Sequence, residues 1–142
     1  VNARLSVYYR GVRVLVCGGR NFGHLADCRG GDCLSCDPVD FKIIEAELAK
    51  LGSGDIVIEG DARGADRIGG HIAAALGHEV LVFPAQWDKF HRAAGLIRNQ
   101  QMLTEGKPDR VLAFHRDLAR SKGTKDMVAR SKWAGLPVEV LP

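Results

Sequence analysis

The stretch "RVLVCGGRNFG", Arg13 to Gly23, runs from an unbroken apolar segment straight into two glycines, an arginine and an asparagine. Valine, leucine and cysteine without polar alternation is the pattern of a strand covered on both faces, as in a parallel sheet. Four further bursts of the same kind follow: "DIVIE" (55–59), "EVLVF" (79–83), "RVLAF" (110–114) and "PVEVL" (137–141). Between the first two, Asp37 and Pro38 supply an N-cap and a first-turn proline. Phe41, Ile44, Leu48 and Leu51 then recur at helical spacing, and Gly52 is expected to stop the helix. A second helix is expected from about Gly64, with Ala65, Ile68, Ile72 and Leu76 on one face and Gly77 ending it. A third is expected over about Ala93 to Glu105, closed by Gly106 and Pro108, and a fourth from about Thr124 to Gly135. Strand and helix alternating in this way read as a doubly wound α/β fold. It has a mainly parallel five-stranded sheet with helices on both faces.

The 142 residues suit one domain, 1–142, with residues 1–11 as an N-terminal arm and 24–37 as a cysteine-rich insertion. In the arm, Leu5 and Val7 alternate like a short strand or like a segment packed on a neighbour. Twenty basic against 17 acidic residues leave a net charge of only +3. That balance fits an anionic small ligand or a weak nucleic-acid contact and is far from a polybasic arm, and the arginines cluster beside glycines instead of along one helix face. No apolar run is long enough for a membrane span, so a soluble cytoplasmic protein is expected.

In a doubly wound sheet ligands bind beyond the carboxyl ends of the strands. The loop after the first strand holds Gly18, Gly19, Arg20 and Asn21: glycines let backbone N–H groups approach an anion, and arginine adds a charged fork. Its glycines fall at 18, 19 and 23, which is neither the G-x-G-x-x-G dinucleotide fingerprint nor a Walker loop, so neither NAD nor flavin is expected. The loop after the second strand, "EGDARGADRIGG", repeats the theme with Gly60, Asp61, Arg63, Gly64 and Asp66 at a helix start. After the third strand Trp87 and Phe90 are expected to cap the core, with stacking on a base as the alternative. Arg98 and Asn99 follow on the next helix, as an exposed face or reaching into the crevice. After the fourth, Gly123 and Thr124 open a helix, with Thr124 as cap or phosphate contact, and His115 is expected to be a lone surface histidine.

The insertion "GHLADCRGGDCLSCDP" gathers Cys28, Cys33 and Cys36, with zinc-knuckle spacing in Cys33-x-x-Cys36. His24, Asp27 or a partner subunit is the fourth ligand, and Gly30 and Gly31 let the loop fold around the ion. Inert thiols and a redox pair are the competing readings. If zinc is bound it is expected to be structural. Cys17 stands apart and reads as a small core residue.

Taken in order, "VLVCGGRNF", "EGDARGADRIG", "AAGLIRNQQML", "GKPDRVLAFH" and "KGTKDMV" resemble the YspA-related family of the SLOG superfamily, Rossmann-like domains that include DprA and the Lonely-Guy-type phosphoribohydrolases. The resemblance runs from Arg13 to Pro142 except for about His24 to Asp37. It implies a nucleotide or nucleotide-derived ligand held by Gly18, Gly19, Arg20, Gly60, Arg63, Gly64, Asp66, Arg98, Asn99, Gly123 and Thr124, and it implies a homodimer. The phosphoribohydrolases carry P-G-G-x-G-T-x-x-E, with the glutamate catalytic and an arginine on a preceding helix assisting. Here Ala119, Arg120 and Ser121 replace the first three residues, and Met127 stands in the glutamate's place. Asp126, one residue earlier, is turned about 100° away on a helix. Methionine neither activates water nor stabilises a cationic centre. The resemblance therefore implies a sensor or scavenger first. Second comes a hydrolase of an N-glycosidic bond using Asp61, Asp66 or Asp126 with Arg98. A single-stranded nucleic-acid module comes last.

Overall fold

The computed structural model describes residues 10–29 and 33–142. The arm's Leu5 and Val7, and the insertion's Gly30 and Gly31, lie outside these residues. Five parallel strands form one sheet: β1 (Arg13–Gly18), β2 (Ile56–Glu59), β3 (Glu79–Val82), β4 (Arg110–Phe114) and β5 (Val138–Leu141), in the spatial order β3-β2-β1-β4-β5. The helices are α1 (Pro38–Leu48), α2 (Ala65–Ala75), α3 (Trp87–Phe90), α4 (Ala94–Gln101) and α5 (Gly123–Trp133). The expected α/β architecture is therefore present, and the cysteine-rich segment follows β1.

Alternation along β1 divides the core. Val14 and Val16 pack with Ile44 and Leu48 of α1 and Ile68 and Ile72 of α2. Leu15 and Cys17 face the other way, with Met102 and with Met127 and Val128 of α5. Each side chain of this central strand meets a helix, which is why the run lacks polar alternation.

The helix ends show why the boundaries fall where they do. Asp37 caps α1, its Oδ1 accepting from the Val39 and Asp40 N–H groups at 2.9 and 3.3 Å. That helix stops at Leu48, a turn before Gly52, and the left-handed glycine of the following turn is Gly54 (φ 86°). The helix expected over about Ala93 to Glu105 is present as α4 and the turn that follows it. The short α3 precedes α4, and a π-helical turn over Met102–Gly106 ends it. There Gly106 lies against Ile58 and Phe83, and its carbonyl accepts from Arg13 Nε at 2.7 Å. The last helix begins at Gly123, one residue before Thr124, and Thr124 N–H donates to Ser121 Oγ at 3.0 Å.

Parallel pairing brings all the β-to-α loops to one edge of the sheet. The chain order reverses between β1 and β4, so the loops after these two strands splay apart and leave a crevice there.

Candidate functional site

A cavity of about 520 Å³ occupies that crevice, within the range of small-molecule sites. Of the residues expected from the sequence, Gly18, Gly19, Arg20, Asp66, Arg98, Asn99, Gly123 and Thr124 line it. Asn21, Gly60, Asp61, Arg63, Gly64 and Asp126 are not in its lining. Trp87, Arg92, His115, Ser121, Lys122 and Met127 are.

Two of the glycines serve the fold before they serve any ligand. A Cβ at Gly18 would stand 2.3 Å from the Phe114 carbonyl oxygen and 2.6 Å from Ala65 Cβ. Gly64 (φ 88°) has its vacant Cβ direction aimed at the backbone of Gly19 and Arg20, 2.2 Å from the Gly19 oxygen. The first two loops therefore touch backbone to backbone, and Ala65 N–H donates to the Gly19 carbonyl at 3.3 Å. Gly123 is different: nothing lies within 4 Å of a Cβ placed there, so the start of α5 is open.

Asp66 is 3% exposed and its Oδ2 accepts from Gly60 N–H at 3.1 Å. Burial pushes its carboxyl up to about 6, partly offset by the Arg98 guanidinium and by bonds from the Gly60 and Ala62 N–H groups. Glu59, at the end of β2 and 4% exposed, is pushed up to about 7, chiefly by burial. Its Oε2 accepts from Asp61 N–H, and Asp61 is held in the left-handed region (φ 57°) with its carboxylate paired to Arg67 at 3.0 Å. Sequence reading passed over Glu59, because a glutamate closing an apolar burst looks like the first solvated residue of a loop.

On α4, Arg98 donates to the Gly60 carbonyl and, through Nε, to Asn99 Oδ1 at 3.1 Å. Asn99 Nδ2 in turn donates to the Gly123 carbonyl and to Asp126 Oδ2, at 3.1 and 3.0 Å. Asp126 also accepts from Arg130 Nε at 2.8 Å, so its carboxylate is committed to the wall between α4 and α5. Met127 is buried at the cavity floor. His115 is no lone surface residue. Its Nδ1 accepts from Asp117 N–H at 3.0 Å, and its ring lies beside Gly19. Trp87 is 49% exposed on the cavity wall, so it does not cap the core, and Phe90 lies outside both core clusters, under Lys89. Neither residue type announces such a position, since aromatic burial is the commoner outcome.

The second constellation lies in the segment after β1. His24, Cys28, Cys33 and Cys36 bring one ligand atom each to within 4.8 Å of one another. His24 Nδ1 lies 3.6, 3.7 and 3.9 Å from the sulfurs of Cys28, Cys33 and Cys36. Tetrahedral zinc with three sulfurs and one nitrogen has ligand–ligand edges of about 3.5–3.8 Å. Leu25 N–H donates to Cys36 Sγ at 3.0 Å, and no disulfide joins the cysteines. His24 is buried, and its pKa is lowered first by burial and then by the Arg63 cation, which favours the neutral imidazole that binds metals. His24, and not Asp27, is thus the fourth residue of the group that could hold a metal ion, and all four come from one chain. Cys17 is excluded from it. That thiol is buried in the core, and burial first, then Asp66, raises its pKa.

Arg63 belongs to this corner. Its Nη2 donates to the Cys28 carbonyl at 3.3 Å. Its Nε is the one fully buried side-chain nitrogen or oxygen without a hydrogen-bond partner among the described residues.

The chain is 37% identical over 97 residues to the Gene 61 protein of Mycobacterium phage D29, an alignment spanning 65% of this chain and 75% of the phage protein. No family model and no solved structure matches the chain.

Proposed function

The chain belongs to the family of the phage Gene 61 protein, and we propose that it binds a nucleotide or nucleotide-derived ligand in the cavity between the ends of β1 and β4, as a sensor or scavenger. The observation that carries the reading is the charge of the lining. Arg20, Arg92, Arg98 and Lys122 face one buried carboxylate, Asp66, beside the open N-terminus of α5 at Gly123. A phosphate there meets backbone N–H groups, the positive end of a helix and flexible cations. Half-exposed Trp87 offers an indole face for a base. The ordered motifs resembling the YspA-related SLOG family support the same ligand class, and extend the proposal to a homodimer.

A second reading, cleavage of an N-glycosidic bond, has Asp66 in its favour. Among the described residues it is the only carboxylate lining the cavity, and a group near 6 exchanges protons at neutral pH. Asp126 lacks that placement.

We further propose that the Cys/His centre holds zinc in a structural role, because four closed tetrahedral ligands leave no open position for chemistry. Thiolate ligation of this kind fits a reducing cytoplasm.

Equilibrium retention of a nucleotide panel tests the cavity. The panel contains mononucleotides, ADP-ribose and cyclic dinucleotides, with mass spectrometry of bound and free fractions. Intact ligand retained by the wild type and held more weakly by Arg20→Ala supports the sensor or scavenger. Free base in solution, absent with Asp66→Asn, supports the hydrolase, and retention of nothing overturns both.

A further inference from the structure

We infer that the Cys/His centre is a clamp on the two loops that wall the cavity, with Arg63 as its positioning residue. The inference rests on the zinc reading above. The loop after β1 enters the cavity at Gly18 to Arg20 and, within a few residues, delivers His24 to the metal cluster. Its turns are tightly linked: Phe22 N–H donates to the Gly19 carbonyl at 3.1 Å and His24 N–H to the Asn21 carbonyl at 3.0 Å. The Gly23 carbonyl then accepts from Cys36 and Asp37 N–H, both at 2.9 Å, and its own N–H donates to buried Asp40 at 2.7 Å. A force holding Cys36 and His24 together is thus transmitted directly to the cavity wall.

The loop after β2 is tied to the same cluster by Arg63. Its neighbour Ala62 lines the cavity and Asp66 follows in the first turn of α2. The two loops meet first at Gly19 and Gly64, where backbones touch, and again at the Cys28 carbonyl, where the guanidinium reaches across. Cys28 reaches that point from a segment with exposed Leu25 and no regular secondary structure between β1 and α1 among the described residues. On the zinc reading, the metal adds to the backbone bonds at Gly23 a cross-link that joins Cys28 and Cys33 to His24 and Cys36. Three thiolates around a divalent ion carry net negative charge, so a guanidinium at this corner is favoured. Its Nη2 is bonded to the carbonyl of one ligand residue, Cys28, and its Nε–H is buried with no partner of its own among the described residues.

Amide hydrogen exchange on the zinc-loaded chain, then after chelation, then after restoring Zn²⁺, tests the clamp. Exchange in peptides covering 19–25 and 60–66 is expected to accelerate at least tenfold on chelation and to recover with Zn²⁺. β4 and α5 should be unmoved. Unchanged loops after proven loss of zinc overturn the clamp while leaving the zinc reading intact. An equal rise throughout the sheet overturns it too, because the metal would then hold the whole fold. A chain that takes up no zinc overturns both. In chelator competition Arg63→Met is expected to bind Zn²⁺ 10–100-fold more weakly, as is usual for lost partners of metal ligands. Arg63→Lys, which keeps the charge without the fork, should fall between. Equal Zn²⁺ affinity in all three forms removes Arg63 from the centre. Should the Met variant fail to fold, wild-type affinity in the Lys variant alone has the same force.

Discussion

The metal cluster and the cavity are neighbours built on opposite terms. The cluster is a matter of side-chain identity: three sulfurs and one imidazole nitrogen, gathered from a segment without regular secondary structure among the described residues. The cavity is a matter of where strands end. Its place is set by backbone: by glycines that let loops touch, and by a strand order that reverses between β1 and β4. A cluster of the first kind should fail when one atom changes. A crevice of the second kind should survive the loss of a side chain and fail when a backbone is pushed aside.

The largest expected effect follows from the first half of that contrast. Cys33→Ser should weaken Zn²⁺ binding by several orders of magnitude, read by metal content and chelator competition, because ligation supplies most of the local ordering energy. Retention of stoichiometric zinc would dissolve the contrast. Next, Gly64→Ala should lower stability by on the order of 2–4 kcal/mol, since a methyl there strikes the Gly19 carbonyl at a left-handed backbone. Gly123→Ala should leave the melting temperature almost unchanged while altering the cavity mouth. Equal melts for the two variants would show that the loops yield more easily than their geometry implies.

Asp66 gives a smaller and pH-dependent effect. Burial raises its carboxyl from 3.8 to about 6, so folding takes up a proton between those values. The stability due to this group is fully present below about pH 4 and is lost as pH rises through 6. Asp66→Asn removes that slope. In denaturant melts it should match the wild type near pH 3.5 and exceed it by on the order of 2–3 kcal/mol at pH 7. A parallel pH profile in both proteins would mean that the carboxyl titrates normally. The smallest change is expected for Arg20→Ala, an exposed cation at the cavity rim, which should weaken a retained nucleotide about tenfold without touching the fold. Unaltered affinity would place the anion elsewhere in the lining.

Strands and most helix limits were legible in the sequence, because buried parallel strands and capped amphipathic helices leave periodic marks that do not depend on distant partners. The members of the Cys/His group were legible for a related reason: cysteines at short spacing stay close together in any fold of the loop. His24 could be set above Asp27 only once the turn at Gly23 was seen to bring its ring to the sulfurs. The direction of a side chain was much less legible. Arg63 and Arg20 occupy equivalent places in two Gly/Arg loops, yet one lines the cavity and the other turns to the Cys28 carbonyl. Glycine was ambiguous in the same way. A close approach demands it equally at Gly18 and Gly64, where protein is the neighbour, and nothing in the residue itself says which neighbour it serves. His115 lies against Gly19, far away in sequence, and Trp87 begins the short α3 beside Gly95, neighbours that neither residue type announces.

The register of β1 has a consequence for how the chain is made. Leu15 pairs with Ile58 on one side and with Val111 on the other, so the strand at the centre of the sheet emerges from the ribosome long before its β4 partner exists. Until then the edge of β1 that pairs with β4, and the Leu15 and Cys17 face that Met127 and Val128 later cover, stay open, an interval of aggregation risk typical of non-local parallel pairing. The Cys/His ligands, by contrast, all fall between residues 24 and 36 and need no distant partner. A nascent chain meeting zinc at that stage would acquire one ordered knot directly beside its most vulnerable strand, and would carry it into the later assembly of the sheet.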